Sequence, residues 1–373
     1  MAEMMKFGDF ASFRYGKMPI KKKITESGKY PIYSGYRYVG FYDEYNTEAD
    51  QLIIVARGVG GTGDVKLTKD RCYLTNLSIA ANIDSNVVLP EYLYYYFKPR
   101  SLRYLDSGSA QSQITISDLE RVMIPIPPLS DQKAICSYLK LLDGKIQNNK
   151  QINENLEQQA QALYQELFVD NADPAWQQGT ICDLGAVVGG STPSKAKAEY
   201  YTENGIAWIT PKDLSVNKSK FIAHGENDIT ELGLKNSSAN IMPEGTVLFS
   251  SRAPIGYIAI ATGEVTTNQG FKSVVPKPEI GTAYVYYFLK NNLPVIEGMA
   301  SGSTFKEVSG STMKRVPAVI PDTDTIARFN DFCSPIFAQQ RIWEEQNQSL
   351  AALRDNLLPK LMSGEIDVSD IQL

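Results

Sequence analysis

The apolar positions of this chain fall into two contrasting patterns. One is long and periodic. Residues 131–168 run without proline and with a single glycine, Gly144. Within them Ile135, Leu139, Leu142, Ile146, Asn149, Asn153, Leu156, Ala160, Leu163 and Leu167 alternate by four and three, a heptad seam with a polar step in its middle. Such a helix spans about 57 Å at about 1.5 Å per residue. Pro127-Pro128 ends the segment before it, with Leu129 read as a staple and Ser130 as the N-cap. Near the C-terminus a second seam is formed by Phe329, Cys333, Ile336, Trp343, Leu350, Leu353, Leu357 and Leu361. Asp324 is placed at its cap, Pro335 is expected to kink or interrupt its first turns, and Ser363-Gly364 closes it.

The other pattern is short. Apolar runs at 30–35, 52–57, 206–210, 246–251 and 257–262, bounded by Gly, Pro, Asn and Asp, predict strands. One short helix per half is expected at 90–98 and 281–290. Its tyrosines (Tyr92, Tyr94, Tyr95, Tyr96, Tyr284, Tyr286, Tyr287) either stack on bases or build a core, and packing is the favoured reading.

The chain is written twice. Residues 107–128 lie over 301–322, with Ser-Gly-Ser opening both, Arg121-Val122 on Arg315-Val316 and Ile126-Pro127 on Ile320-Pro321. The same offset of 194 carries Asn153 onto Asn347, Leu156 onto Leu350, Leu163 onto Leu357 and Leu167 onto Leu361. Upstream it drifts by a couple of residues, with Thr75-Asn76 on Thr267-Asn268 and 52–57 on 247–252. The extreme N-terminal parts of the halves show hardly any likeness. A seam two residues wide needs a partner, and the other copy is the nearest one. The predicted fold class is therefore α+β: a tandem repeat of two β-rich regions separated by two long helices packed as an antiparallel coiled coil. Length argues against each helix packing on its own globular region, since about 57 Å overhangs a region of that size.

Net charge is −5, but the acidic excess falls in the two helical segments. The larger regions are near neutral and can present a basic face. The four cysteines stand far apart at 72, 136, 182 and 333, which suggests a reducing, cytoplasmic setting without a zinc site or a disulfide framework. The single histidine, His224, reads as a loop residue. No segment is long and apolar enough for a transmembrane helix, and the N-terminus is not a secretory signal. Gly58-Val59-Gly60-Gly61-Thr62-Gly63 matches G-x-G-x-x-G behind a strand. A dinucleotide loop needs its last glycine to open a helix, whereas residues 64–79 have no helical stripe. The second copy, 247–260, keeps the strand and the arginine and loses all but one glycine. What the copies share is Arg57 and Arg252. No catalytic constellation is evident, so a binding and organising protein is expected. The rivals are a structural coiled-coil dimeriser without DNA specificity and, further off, a nucleotide-cofactor enzyme using Gly58–Gly63.

The segments 124–146, 151–168, 241–260, 266–274 and 353–366 give the chain its family resemblance. Over essentially its whole length it resembles the specificity (S) subunit of type I restriction–modification systems. The resemblance implies a first target-recognition domain over 1–128, a central conserved helix over 129–170, a second recognition domain over 171–321, a distal conserved helix over 322–364 and a tail over 365–373. It implies double-stranded DNA with a bipartite target as ligand, two methyltransferase (M) subunits as partners and restriction (R) subunits in the full complex. It implies no catalytic residue, metal or cofactor in this chain: S-adenosylmethionine, ATP and Mg belong to the partner subunits. DNA contacts are expected from Lys21, Lys22, Lys23, Tyr36, Arg37, Arg57, Thr62 and Gln111 in the first half. In the second half they are expected from Lys195, Lys197, Thr210, Lys212, Arg252, Asn268, Gln269 and Lys306.

Overall fold

The structure is a computed structural model and describes residues 2–35, 37–58, 61–106, 112–302 and 306–367. Two compact units result, Met1–Ile146 with Gln348–Leu373, and Gln147–Asn347. Each unit therefore combines a globular region with part of both long helices.

In the first unit Glu3–Lys6 pairs antiparallel with Met123–Ile126, bringing the two ends of the globular region together. One sheet has the order Ala11–Tyr15, Ser78–Ile83, Leu52–Val55, Val65–Leu67, antiparallel throughout. A smaller sheet sets Tyr30–Ser34 between Arg37–Tyr42, antiparallel, and Tyr73–Leu74, parallel. The second unit repeats this plan. Gln177–Thr180 pairs with Pro317–Ile320. Its main sheet runs Gly185–Gly189, Lys272–Pro276, Val247–Ser251, Ile255–Ala261, with Phe221–Ile222 added at the edge. Its smaller sheet sets Ile206–Ile209 between Asn227–Ile229, antiparallel, and Thr266–Thr267, parallel. The N-terminal parts, which look unrelated in sequence, are thus the same elements. The one-turn helices Phe7–Phe10 and Ile181–Leu184 occupy matching places, and Phe7, Phe10, Ile181 and Leu184 are all buried.

The tyrosine-rich helices, Pro90–Phe97 and Thr282–Asn291, lie in the cores. Tyr92, Tyr95, Tyr284, Tyr286 and Tyr287 are buried, while Tyr94 and Tyr96 are half-buried. The hydroxyls of Tyr92 and Tyr284 donate to the carbonyls of Pro125 and Val319 at 3.1 and 3.2 Å, one bond made twice. Packing, not base stacking, accounts for these rings. Each contributes on the order of 2 kcal/mol through buried apolar area.

The central helix spans Leu129–Gln165 and closes with a π-turn at Glu166–Asp170; the distal helix spans Thr323–Ser363. Three details depart from expectation. Leu129 already lies inside the central helix, and the Ser130 hydroxyl donates to the Asp131 carboxylate. Asp322, not Asp324, caps the distal helix, accepting the Thr325 backbone N–H at 2.8 Å. That helix also continues through Pro335. Gly364, at φ 74°, ends it.

Within each unit the helices run antiparallel. In the first, Arg354 reaches Asp143 at 2.7 Å. In the second, the Asn149 amide donates to Gln346 at 2.6 Å and Asn347 at 3.0 Å, and Gln340 donates to the Asn153 carbonyl at 3.1 Å. The polar step of the seam is this amide layer, a device that favours one register over others. Ile135, Leu139, Ile146, Phe329, Ile336 and Leu361 are buried, whereas Leu142, Leu156, Leu163, Leu167, Trp343, Leu350 and Leu357 are half-buried. Leu353 is 44% exposed, and Leu358 and Met362 are buried in its stead.

The seam is not a bare coiled coil. Ile135, Leu139, Leu358 and Leu361 share a core with Leu93 and Phe97. Ala160, Tyr164, Phe329, Cys333 and Ile336 share one with Tyr284 and Tyr287. Contrary to the expectation from length, each helix packs on a globular region along part of its length as well as on the other helix. Among the described residues no helix is long and apolar enough to cross a membrane.

Candidate nucleic-acid interface

One cleft of the second unit has a volume of about 570 Å³. Four stretches distant in sequence line it: Thr192 and Lys195; Tyr201, Trp208 and Thr210 to Asp213; Glu226 and Asn227; Asn268 and Gln269. Each is held locally. Thr210 and Asp213 form a capping box at the helix Pro211–Val216, with the Thr210 N–H donating to Asp213 at 2.7 Å. Asn268 follows the parallel strand Thr266–Thr267, donates its backbone N–H to the Ile209 carbonyl at 3.0 Å, and accepts the Gly270 N–H at 2.8 Å on its side-chain oxygen. Thr192 donates to the Gln269 amide oxygen. The Trp208 indole N–H donates to the Ser191 carbonyl at 3.0 Å, and Tyr201 donates to the Pro193 carbonyl at 2.6 Å. The aromatic wall is therefore fixed, Lys195 and Lys212 are exposed at its rim, and Lys212 pairs with Glu226.

Five of the eight residues expected to meet DNA in the second half (Lys195, Thr210, Lys212, Asn268 and Gln269) thus share one cleft. Lys197 is exposed and pairs with Glu199 at 3.6 Å, outside the lining. Arg252 lies elsewhere, bridged to Glu307 at 3.4 Å, with exposed Lys306 next to that glutamate in sequence. Sequence reasoning missed Tyr201, Trp208, Asp213 and Asn227. The T-x-x-D capping signature at Thr210 was the one local signal available.

The first half gathers less. Lys21, Lys22 and Lys23 form an exposed single turn, and Arg37 is exposed at the start of its strand. Tyr36 and Gln111 lie outside the described residues, as do Ser107 to Ser109. Arg57 is half-buried and forms an isolated bridge with Gln113, the counterpart of the Arg252–Glu307 bridge. Thr62 corrects an expectation. It is 3% exposed and its hydroxyl donates to the Gly58 carbonyl at 3.0 Å, so it offers no surface to a nucleic acid. The glycine loop turns Leu52–Val55 into the antiparallel strand Val65–Leu67. No helix N-terminus follows it, which removes the geometry of a dinucleotide site. His224 is an exposed loop residue beside Asp228 at 3.3 Å. Among the described residues no group of His, Cys, Asp or Glu is placed to hold a metal ion.

Charge also collects where the helices meet the globular regions. Burial works to raise the Glu157 carboxyl, but Lys220 and Lys290 outweigh it and hold it at about 2. Asp143 is likewise opposed by burial, yet a hydrogen bond from Arg354 and the charge of Lys98 hold it below the usual carboxylate range. Glu344 moves upward, because burial outweighs the two backbone N–H groups it accepts. A depressed carboxyl contributes stability that is complete above its unfolded value and is lost as pH falls towards its folded one. Glu157 should therefore cost the second unit on the order of 3 kcal/mol between about pH 5 and pH 2. Urea unfolding at pH 7, 5 and 3.5 reads this, and Glu157→Gln should flatten the profile while lowering the plateau.

Residues 2–158 and 174–358 match the type I restriction modification DNA specificity domain. The chain is 42% identical over 163 residues to the type I restriction enzyme MjaIX specificity subunit of Methanocaldococcus jannaschii, covering 43% of this chain and 38% of that one. It is 24% identical over 368 residues to the HindI specificity subunit of Haemophilus influenzae, covering 76% and 79%. The type I restriction–modification system S subunit from M. genitalium superposes with a TM-score of 0.66 at 19% identity, over 96% of this chain and 95% of that one, so the fold is shared. The chain spans well under half of the first of these relatives and about four fifths of the second. Those relatives are named for specificity and not for catalysis. With both matched stretches in tandem over most of its length, the chain belongs to the type I restriction modification DNA specificity domain family.

Proposed function

We propose that this chain selects a split DNA target for a methyltransferase–restriction assembly. Each globular region reads one half-site, and the two long helices fix the unspecified gap and carry the docking surfaces for two M subunits. R subunits complete the assembly. The single observation behind this reading is the cleft of the second unit. Lysines stand at its rim, a hydroxyl and amides (Thr210, Asn227, Asn268, Gln269) line it, and aromatic rings fix its wall. Rim lysines suit phosphate, and amides suit base edges in a groove. The helices have the reach required: 37 and 41 residues are about 56 and 62 Å long, more than one and a half turns of duplex at roughly 34–36 Å per turn. The methyl donor, ATP and Mg would be bound by the partners, and the adenine would be flipped into the partner's pocket.

Methylome sequencing of cells carrying this chain with its neighbouring methyltransferase tests the reading. A two-part N6-methyladenine motif with a fixed gap is expected. Lys195→Ala with Gln269→Ala should weaken or relax one half of that motif and leave the other intact. A continuous motif, or no new motif, counts against it.

A further inference from the structure

The globular region of the second unit is joined to the helix pair by a charge cluster as well as by an apolar core. Lys220, which precedes the edge strand Phe221–Ile222, is 8% exposed. Its ammonium pairs with Glu157 of the central helix. It donates to the Gln340 side-chain oxygen of the distal helix at 2.7 Å and lies 4.2 Å from the centre of the Phe337 ring. Glu157 also takes Lys290 at 2.6 Å and the Tyr287 hydroxyl at 2.9 Å. Glu344 accepts the backbone N–H groups of Lys220 and Phe221 at 2.9 and 3.1 Å. One lysine of the globular region is thus inserted between two helices, and its own backbone is held by one of them.

The first unit has a related arrangement. Asp143 of the central helix accepts the Tyr95 hydroxyl at 3.1 Å, Lys98 at 3.3 Å and Arg354 of the distal helix at 2.7 Å. Tyr95 and Lys98 are the repeat counterparts of Tyr287 and Lys290. The same tyrosine and lysine grip a carboxylate of the central helix in both units. The carboxylates, however, are not counterparts: the repeat position of Asp143 is Phe337. The grip is shared although the residue gripped differs, and this is hard to explain by shared packing alone.

We propose that Lys220 and Glu157 are positioning residues that fix the orientation in which the second globular region leaves the helix pair, and so the gap length at which the second half-site is accepted. This rests on the split-target reading above. Apolar contact is non-directional and permits small rotations and slips. A buried ion pair does not, because a shift of either partner strands a charge away from water. Lys220 touches both helices and therefore ties the region to their mutual register.

The test uses the complex with its methyltransferase and duplexes carrying both half-sites with the gap lengthened or shortened by one base pair. Initial methylation rates give the gap preference. Glu157→Gln combined with Lys220→Met removes both charges of the buried pair together and leaves Lys290, its side chain 35% exposed, to solvent. It should lower the preference for the native gap roughly tenfold or more, with the preferred bases of each half-site unchanged. Tyr287→Phe removes one hydroxyl, should shift the preference in the same direction by less, and decides the matter if the double variant does not fold. A folded double variant, or failing that Tyr287→Phe, with the wild-type gap preference overturns the proposal and reduces Lys220 to a structural contact. Absence of any gap preference in the wild-type complex overturns the split-target reading itself, and the proposal with it.

Discussion

Gly190→Ala is expected to remove second half-site binding and to destabilise the second unit by about 3 kcal/mol. Gly190 follows the strand Gly185–Gly189 and crosses the junction between Thr267, the last residue of its strand, and the turn Asn268–Phe271. A Cβ there would stand 2.0 Å from the Asn268 carbonyl oxygen and 2.4 Å from that of Thr267. Both are backbone atoms with little freedom, since Thr266–Thr267 pairs with Trp208–Ile209 and the Asn268 N–H is bonded to Ile209. The methyl group can be accommodated only by moving the segment that carries Asn268 and Gln269, the floor of the proposed reading cleft. Gly16 holds the same place in the first unit, where a Cβ would lie 2.2 Å from the Leu74 carbonyl oxygen. Gly16→Ala should therefore damage first half-site binding instead. Gly144→Ala is the control: a Cβ there meets nothing within 4 Å, and the central helix should gain up to about 1 kcal/mol. Urea unfolding with fluorescence anisotropy on single half-site duplexes measures all three. A Gly190→Ala chain that keeps both stability and second half-site binding would sink the assignment of this turn as the cleft floor.

How far the sequence revealed this arrangement depends on the range of each signal. The long helices were legible because a heptad seam repeats its message ten times, so errors at Asp324 and Pro335 cost only details of capping and continuity. The duplication was legible from the strand at 52–57 onward, where the offset stays at 192 to 195. It was illegible near the start, where Phe7 and Phe10 answer to Ile181 and Leu184 at an offset of 174 and about twenty residues have been gained or lost before Arg57. Any apolar residue fills such a core position, so topology persisted where letters did not. The cleft was half legible. Lys195, Lys212 and Gln269 advertise themselves as polar loop residues, but Trp208 and Tyr201 look like ordinary strand residues until four separate stretches converge. Lys220 was invisible for a plainer reason. A lysine in a polar loop reads as solvated, and only its partners on helices 63 and 120 residues away, Glu157 and Gln340, make it a buried group. Arg57 and Arg252 show the converse: comparison of the copies found the pair, but not that each bridges to a matching residue, Gln113 or Glu307.

Phe329→Ala carries the next largest expectation, a loss of about 3–5 kcal/mol from the second unit. The ring is fully buried, with centroids at 5.7 Å from Tyr164, 5.3 Å from Phe168 and 5.8 Å from Tyr287. These neighbours come from the central helix, its closing π-turn and the tyrosine-rich helix, so one side chain of the distal helix holds three elements at once. Truncation leaves a cavity that none of them can close alone, because Tyr287 is also held by Glu157, while Tyr164 and Phe168 pack on Tyr284, itself held by the Val319 carbonyl. The loss should therefore fall on the joint between helices and globular region before it reaches the sheets. Hydrogen exchange should accelerate first in 156–168 and 326–336, with 247–251 and 272–276 following only in the global unfolding reaction. Phe332, 41% exposed on the same helix, is the comparison: its change to alanine should stay within about 0.5 kcal/mol. If exchange in Phe329→Ala rises uniformly across the second unit, helix and globular region form one cooperative block. The ion pair of Lys220 and Glu157 would then be one bond among many within it. If exchange rises at the joint alone, the joint is a separable element, and the angle it sets is open to change without loss of the reading surface.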